Sequence, residues 1–402
     1  MYNRKGKSGT VVFLRLSGGA LALLLCLNGC GNAENKGKEA ESMNESAVSR
    51  EETSLYTAYD NAAYTYPNWE EGLVINETVM FVDNEKGSVL SAPLLYTPSK
   101  IIGVRSATLV KSYEEGVDYV IEGNTLVRTE NSRVPVMRYD EYYPASEIPG
   151  KTMARTGGGY ICFSEGDFFH NRQVAITYEH ADAWNGPVPA YKGDRLPNTV
   201  KKLEEGQTLT IVLSGDSIAE GGNSSQVIGA LPLVPDWFTM FTDSLKRVYS
   251  AELVTHNTAV GGQISTWGMQ NAHELVGQYA PDLAILAFGM NDSLTPAEFV
   301  CTTQATMEKI REDAPDCEFI LVGGIVPNKE FNGFWRQQYA YEEALLALEQ
   351  PGVAVAQVTS LHRYLMETKR YYDMSGKNVN HCNDFLARLY AQVLNALLIS
   401  SA

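Results

Sequence analysis

The stretch "TLTIVLSGDSIAEGG", residues 208–222, decides the fold, because an apolar run stops abruptly at a small, polar, flexible segment. The run at 208–213 is typical of a strand that is buried on both faces of a parallel sheet. In such sheets, ligands bind beyond the carboxyl ends of the strands. Ser217 follows this strand and is therefore either a candidate nucleophile or only a residue of a strand-to-helix turn.

The same alternation of strand and helix patterns continues to the C-terminus. Apolar runs recur as "AELVTHN" (251–257), "DLAILAFG" (282–289), "EFILVGGIVP" (318–327) and "VAVAQV" (353–358). Helical patterns occupy 295–313, 335–352 and 383–398, and the first opens with a capping box of Thr295 and Glu298 around Pro296. Strands alternating with helices predict a parallel sheet with right-handed crossovers, so we expect an α/β domain over residues 205–402.

Residues 55–195 have a different pattern, with short β-rich runs separated by turn signals and no long helical period. "VDYVIEGNTLV", residues 117–127, predicts a hairpin, and "QVAITYEH", residues 173–180, predicts a further strand. We therefore expect an all-β sandwich domain over 55–195. The segment 184–200 is rich in Pro and Gly and is interpreted as the linker to the second domain.

The N-terminus has the pattern of an export signal. Residues 1–29 combine a basic start with a short apolar run, and "LNGC", residues 27–30, resembles a bacterial lipobox. We expect lipidation at Cys30, with ordinary signal-peptide cleavage nearby as the alternative. Residues 30–54 are polar and charged, which is typical of a disordered tether. The protein is thus expected outside the cytoplasm, lipid-anchored to the bacterial membrane.

The net charge argues against a nucleic-acid partner, and the cysteine spacing argues against a metal site. The chain has 402 residues, with 32 Lys and Arg against 48 Asp and Glu, a net charge of -16. Such a surface repels phosphate backbones, so we expect no nucleic-acid partner. Cys162, Cys301, Cys317 and Cys382 show no CxxC or His-rich spacing, so we predict no metal site and no cofactor. A disulfide among them is left open, because sequence does not show which cysteines meet.

Four segments at strand ends or helix starts carry chemistry: "GDSIAEG" with Ser217, "NTAVGG" with Gly262, "GMND" with Asn291, and "NVNH" with His381. Their order and spacing resemble the SGNH hydrolases, also called the GDSL esterase family, over roughly residues 208–400. The resemblance implies a three-layer α/β/α domain with a flavodoxin-like parallel sheet. Each segment by itself is weak evidence, whereas four in the family's order are specific.

The roles implied by this resemblance agree with the chemistry of ester cleavage. A serine hydroxyl needs a base to take its proton, and histidine is the usual base, so Ser217 is the implied nucleophile and His381 the implied base. The carbonyl oxygen gains negative charge and needs preset donors. The implied donors are the backbone N–H groups of Ser217 and Gly262 and the side-chain amide of Asn291.

The sequence departs from the family at the third catalytic position. The family has an aspartate three residues before the histidine, where this chain has Asn378. Asparagine can orient an imidazole but supplies no negative charge. The site could be a Ser–His dyad with Asn378 or a backbone carbonyl orienting the ring, Asp373 or Asp384 could replace the missing acid, or activity could be reduced.

An exported esterase with an attached β domain is similar to bacterial carbohydrate O-acetylesterases of this superfamily. We therefore expect hydrolysis of acetyl or other short acyl esters, on a glycan or another small ester, through an acyl-Ser217 intermediate. One alternative is a lipase-like or thioester hydrolase. Another is a glycan-binding surface lipoprotein with a degenerate esterase domain, for which Asn378 is the best argument.

Overall fold

The computed structural model describes residues 56–84, 90–334 and 337–400. The predicted signal peptide, the lipidation site Cys30 and the tether at 30–54 lie outside the described residues. The described residues form one compact unit. The predicted boundary between a domain at 55–195 and one at 205–402 stays a prediction, and we call the N-terminal β-rich region the β module.

The β module consists of two sheets that share one core. Its strands are β1 (Gly72–Val82), β2 (Ser91–Pro93), β3 (Pro98–Ser106), β4 (Ser112–Tyr113), β5 (Tyr119–Glu122), β6 (Thr125–Arg128), β7 (Val136–Met137), β8 (Thr152–Ala154), β9 (Tyr160–Cys162) and β10 (Gln173–His180). Short helices α1 (Asn61–Tyr64) and α2 (Tyr139–Tyr142) and a 3₁₀ turn (His170–Arg172) accompany them. The sheet orders are β4-β3-β10-β1-β7 and β2-β6-β5, while β8 and β9 form a separate pair.

The packing of these sheets follows from alternation along the strands. Val79 and Phe81 of β1 and Ile176 of β10 share a buried cluster with Leu126 of β6, so the inner faces of both sheets meet in one core. The predicted hairpin is present as β5 and β6, joined at Gly123, which has a φ of 60°. The predicted β-rich region is thereby confirmed.

The C-terminal half is built around a parallel sheet. Its elements are α3 (Pro197–Glu204), β11 (Leu209–Gly215), α4 (Trp237–Val248), β12 (Leu253–Asn257), α5 (Ser265–Gln270), α6 (Ala272–Leu275), a 3₁₀ turn (Gly277–Tyr279), β13 (Leu283–Ala287), α7 (Pro296–Asp313), β14 (Glu318–Gly323), α8 (Gln338–Leu346), β15 (Val353–Gln357), α9 (Val358–Thr368), α10 (Tyr371–Met374) and α11 (Asp384–Leu398). The order β12-β11-β13-β14-β15 is parallel throughout, which confirms the predicted flavodoxin-like sheet.

Both faces of the sheet are covered at β11, β13, β14 and β15, as their apolar sequences require. Ile211 and Leu213 of β11 pack in the cluster that holds α4 and α11, whereas Val212 packs in the cluster that holds α7 and α8. Burying one such side chain completely contributes roughly 1.5–3 kcal/mol. The outcome is the expected three-layer arrangement, with the carboxyl end of β11 leading into the Ser217 segment.

The segment interpreted as a linker ends earlier than predicted, because α3 begins at Pro197, within 184–200. Proline suits the first helical position, and the Glu318 carboxylate accepts hydrogen bonds from the free backbone N–H groups of Asn198 and Thr199. The four cysteines in the described part of the chain are free thiols. Within that same part, the helices are all too short or too polar to cross a bilayer.

Candidate active site

Ser217 lies in a tight turn after β11. A Cβ on Gly215 would come within 2.6 Å of both the Ala287 carbonyl oxygen and the Ala219 Cβ, so this position requires glycine. The Asp216 carboxylate accepts from the backbone N–H of Ile218 at 2.9 Å. Trp237 is 1% exposed and donates from Nε1 to the Ile218 carbonyl at 2.8 Å, so it supports the turn from the core.

His381 reaches this turn from the segment before α11. Its Nε2 lies 2.7 Å from Ser217 Oγ, although the two residues are 164 positions apart. The His381 carbonyl accepts from the Gly376 N–H at 3.0 Å and from Ser375 Oγ at 2.9 Å, which closes a tight turn behind the ring. The structure thus brings together the predicted nucleophile and the predicted base.

The other ring nitrogen of His381 meets a residue that sequence reasoning missed. Nδ1 lies 2.8 Å from Asn223 Oδ1, and Asn223 Nδ2 donates to the carbonyl of Gly166 in the β module at 3.2 Å. Because a carbonyl only accepts, the amide nitrogen must face Gly166 and the amide oxygen must face the ring. Nδ1 therefore carries the proton and Nε2 is free to accept from Ser217 Oγ, as a general base requires.

Asn378 does not orient His381, which corrects the first of the sequence-based alternatives. Its backbone has a left-handed φ of 69°, and its side chain accepts from Tyr142 OH at 3.0 Å and donates to the Cys162 carbonyl at 3.0 Å. Its amide is thereby committed to the β module, and the position opposite Nδ1 is occupied by Asn223.

The two aspartates considered as replacement acids also have other partners. Asp373 pairs with Arg370 and accepts from the Met80 N–H at 2.8 Å. Asp384 accepts from the Ser225 N–H at 2.7 Å. Both carboxylates hold segments of chain in place, and neither supplies the negative charge beside the imidazole.

One signal could have pointed to Asn223, namely the Gly221-Gly222 pair before it. These glycines have φ values of 108° and 52°, which lets the chain turn sharply. A Cβ on Gly222 would lie 3.5 Å from Cβ and Cγ of His381, so the backbone passes directly beside the histidine. The pairing depends on this loop path rather than on spacing from Ser217.

The electrostatics of the site favour a neutral imidazole. Burial and the nearby Lys377 ammonium lower the pKa of His381 to about 3. Asn223 carries no charge and so does not offset either effect. The ring is therefore ready to accept a proton at neutral pH, but the imidazolium that forms in the transition state is poorly stabilised.

Two other titratable groups lie beside the Ser217–His381 pair. Burial raises the pKa of Asp216, which precedes the nucleophile, to about 7. Burial also raises the pKa of the Cys382 thiol, which is 2% exposed. A buried thiol that resists ionisation is a poor nucleophile, so Ser217 is favoured over Cys382 as the nucleophile.

The loops with the implied oxyanion donors are held against the Ser217 turn. The Val260 N–H donates to the Gly215 carbonyl at 3.1 Å, and a Cβ on Gly261 would lie 3.6 Å from Ser217 Cβ. Gly262 has a φ of 76°. The Asn291 amide donates to the Gln263 carbonyl at 3.0 Å, which uses one of its two N–H groups. The donor roles of Ser217, Gly262 and Asn291 stay predictions.

Residues 213–388 match the GDSL-like Lipase/Acylhydrolase family. This part of the chain is a domain of that family. The match contains Ser217, Asn223, Gly262, Asn291 and His381, and the predicted class of carboxylic ester hydrolase is confirmed as the class of this family. No match to the chain was found among the curated proteins.

Solved structures with a related fold include two kinds of esterase. One is a two-domain esterase active on acetylated mannans, co-crystallised with mannopentaose, at 21% identity and a TM-score of 0.43 over 52% of this chain and 54% of that one. Another is a point mutant of Axe2, an acetyl-xylooligosaccharide esterase from a Geobacillus species, at 14% identity and a TM-score of 0.40 over 48% of this chain and 95% of that one. This chain thus spans about half the length of the first.

Proposed function

We propose that the protein is a serine ester hydrolase with Ser217 as nucleophile and His381 as base. The observation that carries the proposal is the continuous chain of hydrogen bonds from Gly166 through Asn223 and His381 to Ser217 Oγ. This series of hydrogen bonds favours the His381 tautomer with its proton on Nδ1. The unprotonated Nε2 then faces the Ser217 hydroxyl. A nucleophile, a base and an orienting group within hydrogen-bond reach are the signature of acyl transfer through a covalent intermediate.

The reaction then takes place in two half-reactions. His381 Nε2 takes the Ser217 proton while Oγ attacks the ester carbonyl carbon, and the carbonyl oxygen becomes an oxyanion near the Ser217 N–H and the Gly261-Gly262 turn. His381 returns the proton to the alcohol oxygen as the C–O bond breaks, which leaves acyl-Ser217. In the second half-reaction, His381 Nε2 takes a proton from water while the water oxygen attacks the acyl carbon. His381 returns this proton to Ser217 Oγ as the bond between Oγ and the acyl carbon breaks, which releases the carboxylic acid and the free serine.

We propose short acyl esters of a glycan as the substrate class. Glu220 supports a neutral substrate, because its exposed carboxylate reaches to 2.8 Å from the place where a Cβ on Gly261 would lie, at the mouth of the site. With the net charge of -16, it repels anionic substrates such as coenzyme A thioesters. An acetylated sugar is neutral and presents a small acyl group.

The test is acetate release from acetylated xylan, acetylated mannan and aryl acetates. We expect turnover by the wild-type protein and a loss of at least about 10³-fold in kcat for Ser217→Ala. Ser250→Ala, an exposed serine before β12, is the matched control and should retain full activity. Equal rates for Ser217→Ala and wild type would overturn the proposal, and binding to a glycan without turnover would favour a degenerate esterase.

A fluorophosphonate label tests the nucleophile separately from the substrate. We expect one adduct, located at Ser217 by peptide mass spectrometry, and a loss of labelling in His381→Ala. Cys382→Ala should still be labelled, since its thiol is buried and protonated. An adduct elsewhere, or undiminished labelling of His381→Ala, would contradict the assignment of nucleophile and base.

Longer acyl chains are a second candidate, favoured by two apolar side chains beside the glycine turn. Val260 is 37% exposed and Ile264 is 38% exposed, one on each side of Gly261 and Gly262. These side chains offer apolar surface against which a longer acyl chain of the substrate could pack. The rates on aryl esters from acetate to octanoate decide between the two, since a maximum at acetate supports the short-acyl proposal and a maximum at longer chains refutes it.

We also propose that the protein works at the outer face of a bacterial membrane, lipid-anchored at Cys30. The support is the basic, apolar and "LNGC" pattern at its N-terminus followed by a polar tether. A Cys30→Ser variant of the full chain should lose incorporation of a lipid label and leave the membrane fraction. Membrane retention of the unlabelled variant would contradict the anchor.

A further inference from the structure

We propose that the β module is part of the catalytic site and sets the basicity of His381. Its segment 163–167, the Glu165 loop, contributes two positioning residues: Gly166, which fixes the Asn223 amide, and Glu165, which offsets the charge of Lys377 beside the histidine. The inference rests on the proposed ester hydrolysis and goes beyond it, because it assigns a role in positioning the base to residues outside the segment that matches the family.

The first contact is made by the backbone of Gly166. Its carbonyl accepts from Asn223 Nδ2 at 3.2 Å, and this bond decides which end of the amide faces His381. Without an acceptor at that place, the Asn223 amide could rotate by 180° and present its N–H₂ to the ring. The opposite His381 tautomer would then be favoured, with the proton on Nε2, where it cannot accept from Ser217.

The second contact concerns charge. Lys377 lies in the turn that ends at His381, and its side chain is 11% exposed. Its Nζ lies 3.0 Å from Glu165 Oε1 and 5.6 Å from the centre of the Phe163 ring, so the ammonium is held between two side chains of the Glu165 loop. Glu165 thereby offsets much of the positive charge that opposes formation of the His381 imidazolium.

The charged groups of the site come from three segments. They are Lys377 on the turn that ends at His381, Glu165 on the β module, and Asp216 and Glu220 on the Ser217 turn. The Asp384 carboxylate at the start of α11 accepts from the Ser225 N–H instead. Asp216 is buried and acts on Lys377 as a second negative group when it is ionised. The Glu165 side chain is 61% exposed, whereas that of Lys377 is 11% exposed, so Glu165 can be changed with little cost in stability.

The consequence is a predicted dependence of the base on a residue more than fifty positions before the nucleophile. Removing the Glu165 charge exposes His381 to the full field of Lys377, so the imidazolium is harder to form and the plateau rate falls. Removing the Lys377 charge has the opposite effect on the imidazolium, so the acid limb of kcat/KM moves to higher pH. In a chain without the Lys377 charge, loss of the Glu165 charge should have little further effect.

The experiment is a pH–rate cycle on an aryl acetate with wild type, Glu165→Gln, Lys377→Met and the double variant. We expect the acid limb of Lys377→Met about one pH unit above that of wild type, a several-fold lower plateau for Glu165→Gln, and a double variant that matches Lys377→Met. Glu179→Gln, which breaks an exposed ion pair with Lys100 elsewhere in the β module, is the charge control. It should leave both the limb and the plateau unchanged.

The Gly166 contact is tested with a pair of glycines. Gly166→Ala and Gly150→Ala introduce the same backbone strain, since their φ values are 73° and 72° and each Cβ would meet open space. We expect kcat to fall at least fivefold with KM unchanged for Gly166→Ala, and neither to change for Gly150→Ala. The inference would be overturned if wild type, Glu165→Gln and Lys377→Met had equal pH–rate profiles. It would also be overturned if the effects of these two substitutions were additive in the double variant. Inactivity of wild type itself would instead refute the proposed ester hydrolysis.

Discussion

At the residue scale, the proposed catalytic base, His381, is oriented by an amide where the family pattern has a carboxylate. Replacing Asn223 by alanine removes the acceptor on Nδ1 and frees the ring to adopt the wrong tautomer. We expect Asn223→Ala to lower kcat roughly 10²-fold with a small change in KM. Asn223→Asp supplies the missing charge, so the acid limb of its kcat/KM profile should lie one or more pH units above that of wild type.

Asn378→Ala is the comparison that separates the two asparagines. Its side chain bonds Tyr142 and Cys162, and its φ of 69° is unfavourable for alanine, so this variant should lose stability, by about 1–3 kcal/mol, more than activity. Steady-state kinetics and thermal unfolding of both variants check the assignment. A larger loss of kcat in Asn378→Ala than in Asn223→Ala would restore the sequence-based hypothesis.

The residues of the site differ in how far the sequence could predict them. Ser217 and His381 were predictable because each stands at a strand end or helix start whose neighbours carry a recognisable pattern. Asn223 was not, because its contact with His381 spans 158 positions and depends on two left-handed glycines and on a carbonyl of the β module. Asn378 has the position in the sequence that the family pattern predicts, but its side chain contacts the β module and not His381. Only the geometry of the turn shows which of the two it contacts.

At the element scale, the turn after β12 presents the predicted oxyanion donor. Gly262 has a φ of 76°, which is open to glycine and strained for other residues. We expect Gly262→Ala to rotate the N–H away from the oxyanion and to lower kcat by about 10²–10³-fold. Gly206→Ala is the matched control, since Gly206 has a φ of 68° and precedes β11, at the amino ends of the strands. This variant should lose stability but keep its kcat. Equal kcat for the two variants would remove Gly262 from the oxyanion site.

The strands of the C-terminal half and its helices α7, α8 and α11 were predictable from apolar runs and from caps such as Thr295 with Glu298, whereas α4 and α9 were not predicted. Buried parallel strands need continuous apolar sequence, which is why β11, β13, β14 and β15 agree with the predicted runs, whereas the edge strand β12 has no fully buried residue. Helix α3 was missed because Pro and Gly nearby suggested a linker, while its N-terminus is stabilised by Glu318, 119 positions from Thr199. Local patterns thus predict elements whose stability is local and miss those capped from a distance.

At the scale of the whole molecule, a buried ion pair joins the β module to the C-terminal half. Lys369 Nζ pairs with Glu77 of β1, and both side chains are fully buried. Glu77 also accepts from Tyr178 OH at 2.6 Å and from the Leu95 N–H at 3.0 Å. Lys369→Met leaves this carboxylate without its cation, so we expect a loss of about 3–5 kcal/mol in a single unfolding transition.

Lys100→Met is the control for that change. Its partner Glu179 lies 3.8 Å away and both side chains are nearly half exposed, so the loss should be at most about 1 kcal/mol. Calorimetry of both variants measures the midpoint and the number of transitions. Two separate transitions in wild type, or in Lys369→Met, would show that the β module and the C-terminal half unfold independently.

The pH dependence of global stability follows from the buried carboxyl beside the nucleophile. Burial raises the pKa of Asp216 from 3.8 to about 7, so its contribution to stability is complete below pH 3.8 and is lost as pH rises through about 7. A pKa difference of this size between the folded and unfolded states corresponds to at most about 4 kcal/mol. Asp216→Asn keeps an oxygen for the Ile218 N–H without a titrating group, so it should become more stable relative to wild type as pH rises from 4 to 8. Denaturant unfolding at several pH values measures this difference, and a stability difference that stays constant over that range would show that Asp216 is ionised throughout.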